Sequence, residues 1–207
     1  MFVIGITGGI ASGKSTLTEL LKPQAAAVVD ADEIAREIIA PGTGVFEIIL
    51  ERFGTGILDK EGVINRPELG RLIFGNKKDL AFIDDLTHPP IITKLRKKLR
   101  ELNATVGQED IVLLRVPLMV EKGLTGLADL CVVVMADEET RIERMGKCRS
   151  LSETEARQRI DAQLTDSERV KWADIVVENN GDPEDLKKAA HRILKEVNRK
   201  VGERARG

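Results

Sequence analysis

Nine consecutive residues, Gly8-Gly9-Ile10-Ala11-Ser12-Gly13-Lys14-Ser15-Thr16, satisfy the spacing G-x-x-x-x-G-K-[ST]. Glycines so spaced let backbone amides turn inward around phosphate oxygens. Lys14 would neutralise β/γ-phosphates, and Ser15 would offer its hydroxyl to Mg²⁺. Phosphoryl transfer to a hydroxyl also needs a carboxylate to accept the proton, and Asp30-Ala31-Asp32 supplies two. Asp32 is the better candidate for base, with Asp30 orienting it or helping to hold the metal through water. Arg141, Arg144 and Arg149 could clamp phosphates and stabilise transition-state charge, or Arg141 could belong to a solvated helix face.

These groups need a scaffold. Val- and Ile-rich runs at 2–6, 27–29, 111–116, 131–135 and 175–177 read as strands buried on both faces. Segments of helical spacing lie between them, an alternation that builds a parallel sheet covered by helices. The glycine-rich loop follows the first strand and runs into Leu17, Leu20 and Leu21 at helical spacing, so it is a P-loop in its strand-loop-helix context. Ser152-Glu153-Thr154-Glu155 fits a capping box, and Asp182-Pro183-Glu184-Asp185 opens a terminal helix. About eighty residues separate the second strand from the third, far more than an ordinary crossover, and their periodicity is helical. The expectation is an α/β, three-layer P-loop NTPase fold with a five-stranded parallel sheet and an inserted helical subdomain.

Two rival nucleotide sites are weaker. A dinucleotide turn would need a glycine where Ile10 stands. Asp59-Lys60-Glu61-Gly62 and Asn76-Lys77-Lys78-Asp79 match GTPase strings, but the intervening Leu69, Leu72, Ile73 and Phe74 follow a helical rhythm, so both read as polar turns. The run from Lys94 to Arg100 is a basic amphipathic helix, by default a solvated face.

With 207 residues, 42% hydrophobic and 32% charged, the chain can build one sizeable core. A net charge of -2 implies no general polyanion-binding surface, and an aromatic content of 3% leaves little to stack on bases. Cys131 and Cys148 form no metal-ligand or disulfide spacing, and no apolar run approaches bilayer length. The expectation is a cytoplasmic protein that engages neither nucleic acid nor membrane.

The motifs Ile4 to Ser15, Val29-Asp30-Ala31-Asp32 with Ala35-Arg36, Thr87-His88-Pro89, Val116-Pro117-Leu118 with Glu121, Arg159-Ile160 with Gln163, and Ala173-Asp174 with Asn179-Asn180-Gly181 resemble dephospho-CoA kinase over nearly the whole chain. The resemblance implies ATP-dependent, Mg²⁺-assisted phosphorylation of the ribose 3′-hydroxyl of dephospho-CoA, the last step of coenzyme A synthesis. It implies one kinase domain, with a nucleotide core at 1–32, 110–137 and 173–207, a CoA-binding insertion at 33–109 and a lid at 138–172. It implies that Asp32, Lys14, Arg144 and Arg149 serve catalysis, and that Gly8, Gly9, Ala11, Ser12, Gly13, Lys14, Ser15, Thr16 and Asn180 bind ATP. It implies that Asp32, Arg66, His88, Pro117, Leu118 and Glu121 surround the acceptor, and that Ser15 and Asp32 hold the metal. The partners it implies are ATP and dephospho-CoA, with the protein a monomer or small homo-oligomer. Another small-molecule P-loop kinase, acting on a nucleoside or nucleotide, is the alternative.

Three positions depart from the family pattern. Ala11 replaces a glycine usual in the loop, Cys148 stands where many members have arginine, and Arg115 often aligns with an acidic residue.

Overall fold

The computed structural model describes residues 1–149 and 151–204, apart from the side chains of Phe74 and Arg149. In chain order the elements are β1 (Phe2–Thr7), α1 (Lys14–Leu21), β2 (Ala27–Asp30), α2 (Ala31–Ile38), α3 (Gly44–Phe53), α4 (Arg66–Phe74), α5 (Lys77–Asn103), β3 (Ile111–Arg115), β4 (Leu130–Met135), α6 (Glu138–Arg149), α7 (Glu153–Asp161), α8 (Asp166–Val170), β5 (Ile175–Glu178) and α9 (Pro183–Arg204). They form two compact units, one of residues 1–30 and 100–207, the other of residues 31–99.

The first unit holds the sheet. Its order is β2-β3-β1-β4-β5 and every pairing is parallel. All five strands fall where the apolar runs predict, because a parallel strand covered on both faces favours unbroken Val, Ile and Leu over alternation. Phe2, Ile4 and Ile6 of β1 pack with Leu113, Val132 and Val134 against Leu17 and Leu21 of α1 and Leu186, Ile193 and Val197 of α9. Each such side chain, fully buried, contributes about 1.5–3 kcal/mol. Asp182 Oδ1 accepts from the Glu184 amide at 2.8 Å and starts α9 with Pro183 in its first turn. The capping box at Ser152 is formed, and a second one at Thr165, with Glu168 as its reciprocal partner, starts α8.

The second unit has its own small core of Phe46, Ile49, Ile57, Ile64, Leu69 and Ile73. The two GTPase-like strings lie here, in the unit that contributes no strand to the sheet. Asp59 Oδ1 accepts from the amides of Glu61 and Val63 in a turn, and Asn76 Oδ1 accepts from Lys78 N at the start of α5. Pro89 and Pro90 do not break α5, although they forfeit two amide donors. Part of the basic run is paired within the unit, since Lys94 and Lys98 both reach Glu37, at 2.5 and 3.3 Å. Lys94 above all holds the Glu37 carboxyl below its usual range. Leu95 and Leu99 of the same run are buried.

Candidate active site

The phosphate loop joins the central strand β1 to the N-terminus of α1, where unpaired amides and the helix dipole favour an anion. Gly13 precedes Lys14 with φ of 101°, and a side chain there would collide with Asn179. Asn179 is buried and its Nδ2 donates to Ser12 O at 2.8 Å, so β5 braces the loop from behind. Ala11 adopts φ of 59°, the left-handed conformation that a glycine there would enter without strain. Lys14 Nζ folds over the loop and donates to the carbonyls of Gly8 and Gly9 at 2.8 and 2.7 Å.

Three side chains from α6 and the segment beyond it grip the loop. Arg141 Nε donates to Ile10 O at 2.9 Å, while Gln163 Oε1 accepts from the Ile10 amide at 2.8 Å. Arg144 reaches Ala11 O at 3.3 Å and Asn179 O at 2.9 Å. Arg141 is 5% exposed, so it is no solvated helix face. Its guanidinium also fills the space that a side chain on Gly9 would need. Burial lowers its pKa from the ordinary value, and Asp166, at 3.7 Å from Nη1, opposes that shift. The Arg149 side chain lies outside the described residues.

From Arg141 a partly buried chain of charge continues through Asp166. Asp166 Oδ1 accepts from Arg169 Nη1 at 3.1 Å, and Arg169 Nη2 donates to Glu121 Oε1 at 2.5 Å. Arg169 is 0% exposed, which sets it apart from every other arginine whose exposure is described. Nothing in its immediate sequence marked it, because its partner Glu121 lies 48 positions away. Glu121, expected at the acceptor, has one carboxylate oxygen engaged by Arg169, while its Oε2 is buried and makes no hydrogen bond.

Among the described residues three more buried polar atoms make no hydrogen bond: Ser12 Oγ in the loop, Arg141 Nη2 beside it and Arg115 Nε at the end of β3. Unsatisfied donors at a glycine-rich turn suit phosphate oxygens, so the residues fit a nucleotide. An open cavity of about 610 Å³ adjoins them, lined by Ala136, Arg141, Ile160, Gln163, Asp166 and Asn180 among others. That volume lies within the ordinary range for small-molecule sites. Asn180 Oδ1 accepts from Asp137 N at 2.9 Å, which ties the β5 end to the start of α6.

On the other side of β1, Thr7 Oγ1 donates to Pro117 O at 3.0 Å, seating Pro117 and Leu118 after β3. Asp30, at the end of β2, is buried and ion-paired with Arg115. Arg115 also donates to Ser15 Oγ. Asp32 lies in the first turn of α2. Arg66 opens α4, and His88 in α5 places Nε2 3.5 Å from Asp84 Oδ1. Arg66, His88 and Asp32 belong to the second unit. Among the described residues no cluster of three or more His, Cys, Asp or Glu could hold a metal by itself.

The family model described as dephospho-CoA kinase matches residues 2–185 of the chain. The chain belongs to the dephospho-CoA kinase family. A dephospho-CoA kinase of Carboxydothermus hydrogenoformans is 40% identical over 93% of this chain and 92% of its own length. One from Corynebacterium efficiens is 39% identical over 95% of this chain and 98% of its own. Among solved structures, TT1252 from Thermus thermophilus superposes with a TM-score of 0.71 at 33% identity, covering 94% of this chain and 97% of that one. The dephospho-CoA kinase from Campylobacter jejuni gives 0.67 at 27% identity, covering 94% and 96%. A shikimate kinase from Acinetobacter baumannii, at 16% identity and a TM-score of 0.53 over 97% and 94%, shares the fold. Dephospho-CoA kinase membership thus covers the phosphate loop, the end of β3 and the α6–α8 segment described above, since all lie within the matched residues.

Proposed function

We propose that the protein transfers the γ-phosphoryl group of ATP to the ribose 3′-hydroxyl of dephospho-CoA, giving coenzyme A and ADP. The observation that carries this is the phosphate loop, with the unsatisfied Ser12 Oγ and Arg141 Nη2 beside it, in a chain of this family. The bond from the γ-phosphorus to the bridging oxygen breaks, a new bond forms to the acceptor oxygen, and the hydroxyl proton passes to a carboxylate. Asp32 is that base, two residues beyond the end of β2. Lys14 and Arg144, with Arg149, offset the charge that develops on the transferring group. Ala11 to Thr16, with Gly8 and Gly9, hold the triphosphate, and the cavity beside Asn180 takes the adenosine. Ser15 and Asp32 are the residues that would hold Mg²⁺, being hard oxygen donors, and the ion would supply neutralising charge at the phosphate oxygens.

For the acceptor, Arg66 and His88 bind it together with Pro117, Leu118 and Glu121, the last oriented by Arg169. Residues 33–109 form the acceptor-binding insertion and 138–172 the lid over a nucleotide core. The protein works in the cytoplasm as a monomer or small homo-oligomer, and no helix among the described residues is long and apolar enough to cross a membrane. Mass analysis after incubation with ATP and a panel of acceptors tests the reading. It expects one added phosphate on dephospho-CoA and none on adenosine, AMP or other nucleosides. Transfer to a nucleoside or nucleotide instead would replace the acceptor and retain the fold.

A further inference from the structure

β3 ends beside the phosphate loop on an arginine. In the sheet register Arg115 pairs with Ile6 of β1 on one side and with Asp30 of β2 on the other. The backbone therefore fixes the guanidinium between the strand that leads into the phosphate loop and the acid that closes β2. The ends of its fork are divided between two oxygen groups: Nη1 donates to Ser15 Oγ, and Nη2 pairs with Asp30 Oδ2. The Asp30 side chain is 4% exposed and that of Arg115 18%, so water screens this pair poorly.

Within the first unit these are the groups that would face a divalent ion, Ser15 directly and Asp30 through water. A hydroxyl oxygen has a second lone pair, so hydrogen bonding to Arg115 does not by itself block Ser15 from a metal. A divalent ion using it would nevertheless lie within a few ångströms of a guanidinium that keeps its charge at every accessible pH. Like charges that close, in a half-buried place, oppose each other strongly. We infer that Arg115 is a tethered cation that competes with the divalent ion for Ser15 and Asp30, and so sets the metal concentration the enzyme requires. The inference rests on the nucleotide reading above and adds to it a residue that tunes metal affinity through Ser15 and Asp30.

Mn²⁺ binding to the ADP-saturated protein, followed by the paramagnetic resonance of free Mn²⁺, measures the competition without turnover. Arg115→Gln keeps hydrogen-bonding capacity and removes the charge, and it should bind Mn²⁺ at least tenfold more tightly than the wild type. Arg115→Lys keeps the charge and should stay within threefold. Should Arg115→Gln fail to fold because Asp30 is left buried opposite a neutral group, the double variant Arg115→Gln/Asp30→Asn removes that charge as well. It should bind Mn²⁺ more tightly than Asp30→Asn alone, through the released Ser15. Equal or weaker Mn²⁺ affinity in the folded neutral variant, with ADP bound, would overturn the competition and leave the kinase reading standing. Failure of the wild type to bind ADP would sink both.

Discussion

Asp32 and Lys14 have separable duties in the proposed reaction, and kinetics can tell them apart. A base acts only as the hydroxyl proton leaves, so Asp32→Asn should lower kcat by about 100-fold or more while ATP affinity stays within about threefold. Lys14 contacts the loop carbonyls and would meet the β/γ-phosphates, so Lys14→Ala should raise the KM for ATP and lower kcat together. Steady-state rates over an ATP series with dephospho-CoA saturating decide both. Ala11 offers a test independent of chemistry. Its left-handed φ costs an alanine about 1–2 kcal/mol, against which a glycine pays extra unfolded-state entropy. Ala11→Gly should therefore stabilise the fold by about 0.5–1 kcal/mol, read from urea unfolding midpoints.

The elements around the loop are joined by charge, and here the sequence was only partly legible. The loop itself could be read because its chemistry is contiguous, from Gly8 to Thr16 between a Val/Ile strand and a Leu-spaced helix. The strands were equally plain, since burial on both faces leaves an unbroken apolar run. Arg169 was not legible: Asp166 lies three residues back on α8, an ordinary spacing on a helix surface, while Glu121 comes from the segment after β3, 48 positions away, and only folding brings it there. Gln163 was singled out by the family pattern alone, and its bond to Ile10 N spans 153 positions. Arg141 was ambiguous by spacing, and burial removed the ambiguity. The pairing of Arg115 could not be read either, because strand register rather than sequence proximity sets it beside Asp30. Removing one member of a buried pair strands the other charge. Arg169→Met should therefore cost about 3–5 kcal/mol in chemical unfolding. Arg169→Met/Glu121→Gln should recover part of that loss, an outcome that a simple packing defect would not give.

For the molecule as a whole, the two cysteines report how completely the sheet is closed. Burial, reinforced by the Asp174 carboxylate, pushes the Cys131 thiol up to about 11 from an ordinary 9.0, whereas Cys148 is exposed. A disulfide reagent at pH 8 should titrate one thiol in the native protein and both after denaturation. The neutral Cys131 thiol favours the folded state below about 9, and that contribution is lost as pH rises toward about 11. Two thiols reacting at equal rates in the native protein would mean that β4 is not covered as described. The central claim concerns the acceptor, and the measurement that reaches it most directly is the mass of dephospho-CoA after incubation with the purified protein and Mg²⁺-ATP. The account predicts a gain of one phosphate on the ribose 3′-oxygen, matched by an equal yield of ADP. ADP formed at the same rate without dephospho-CoA, or phosphate found on a nucleoside or nucleotide in its place, would contradict it.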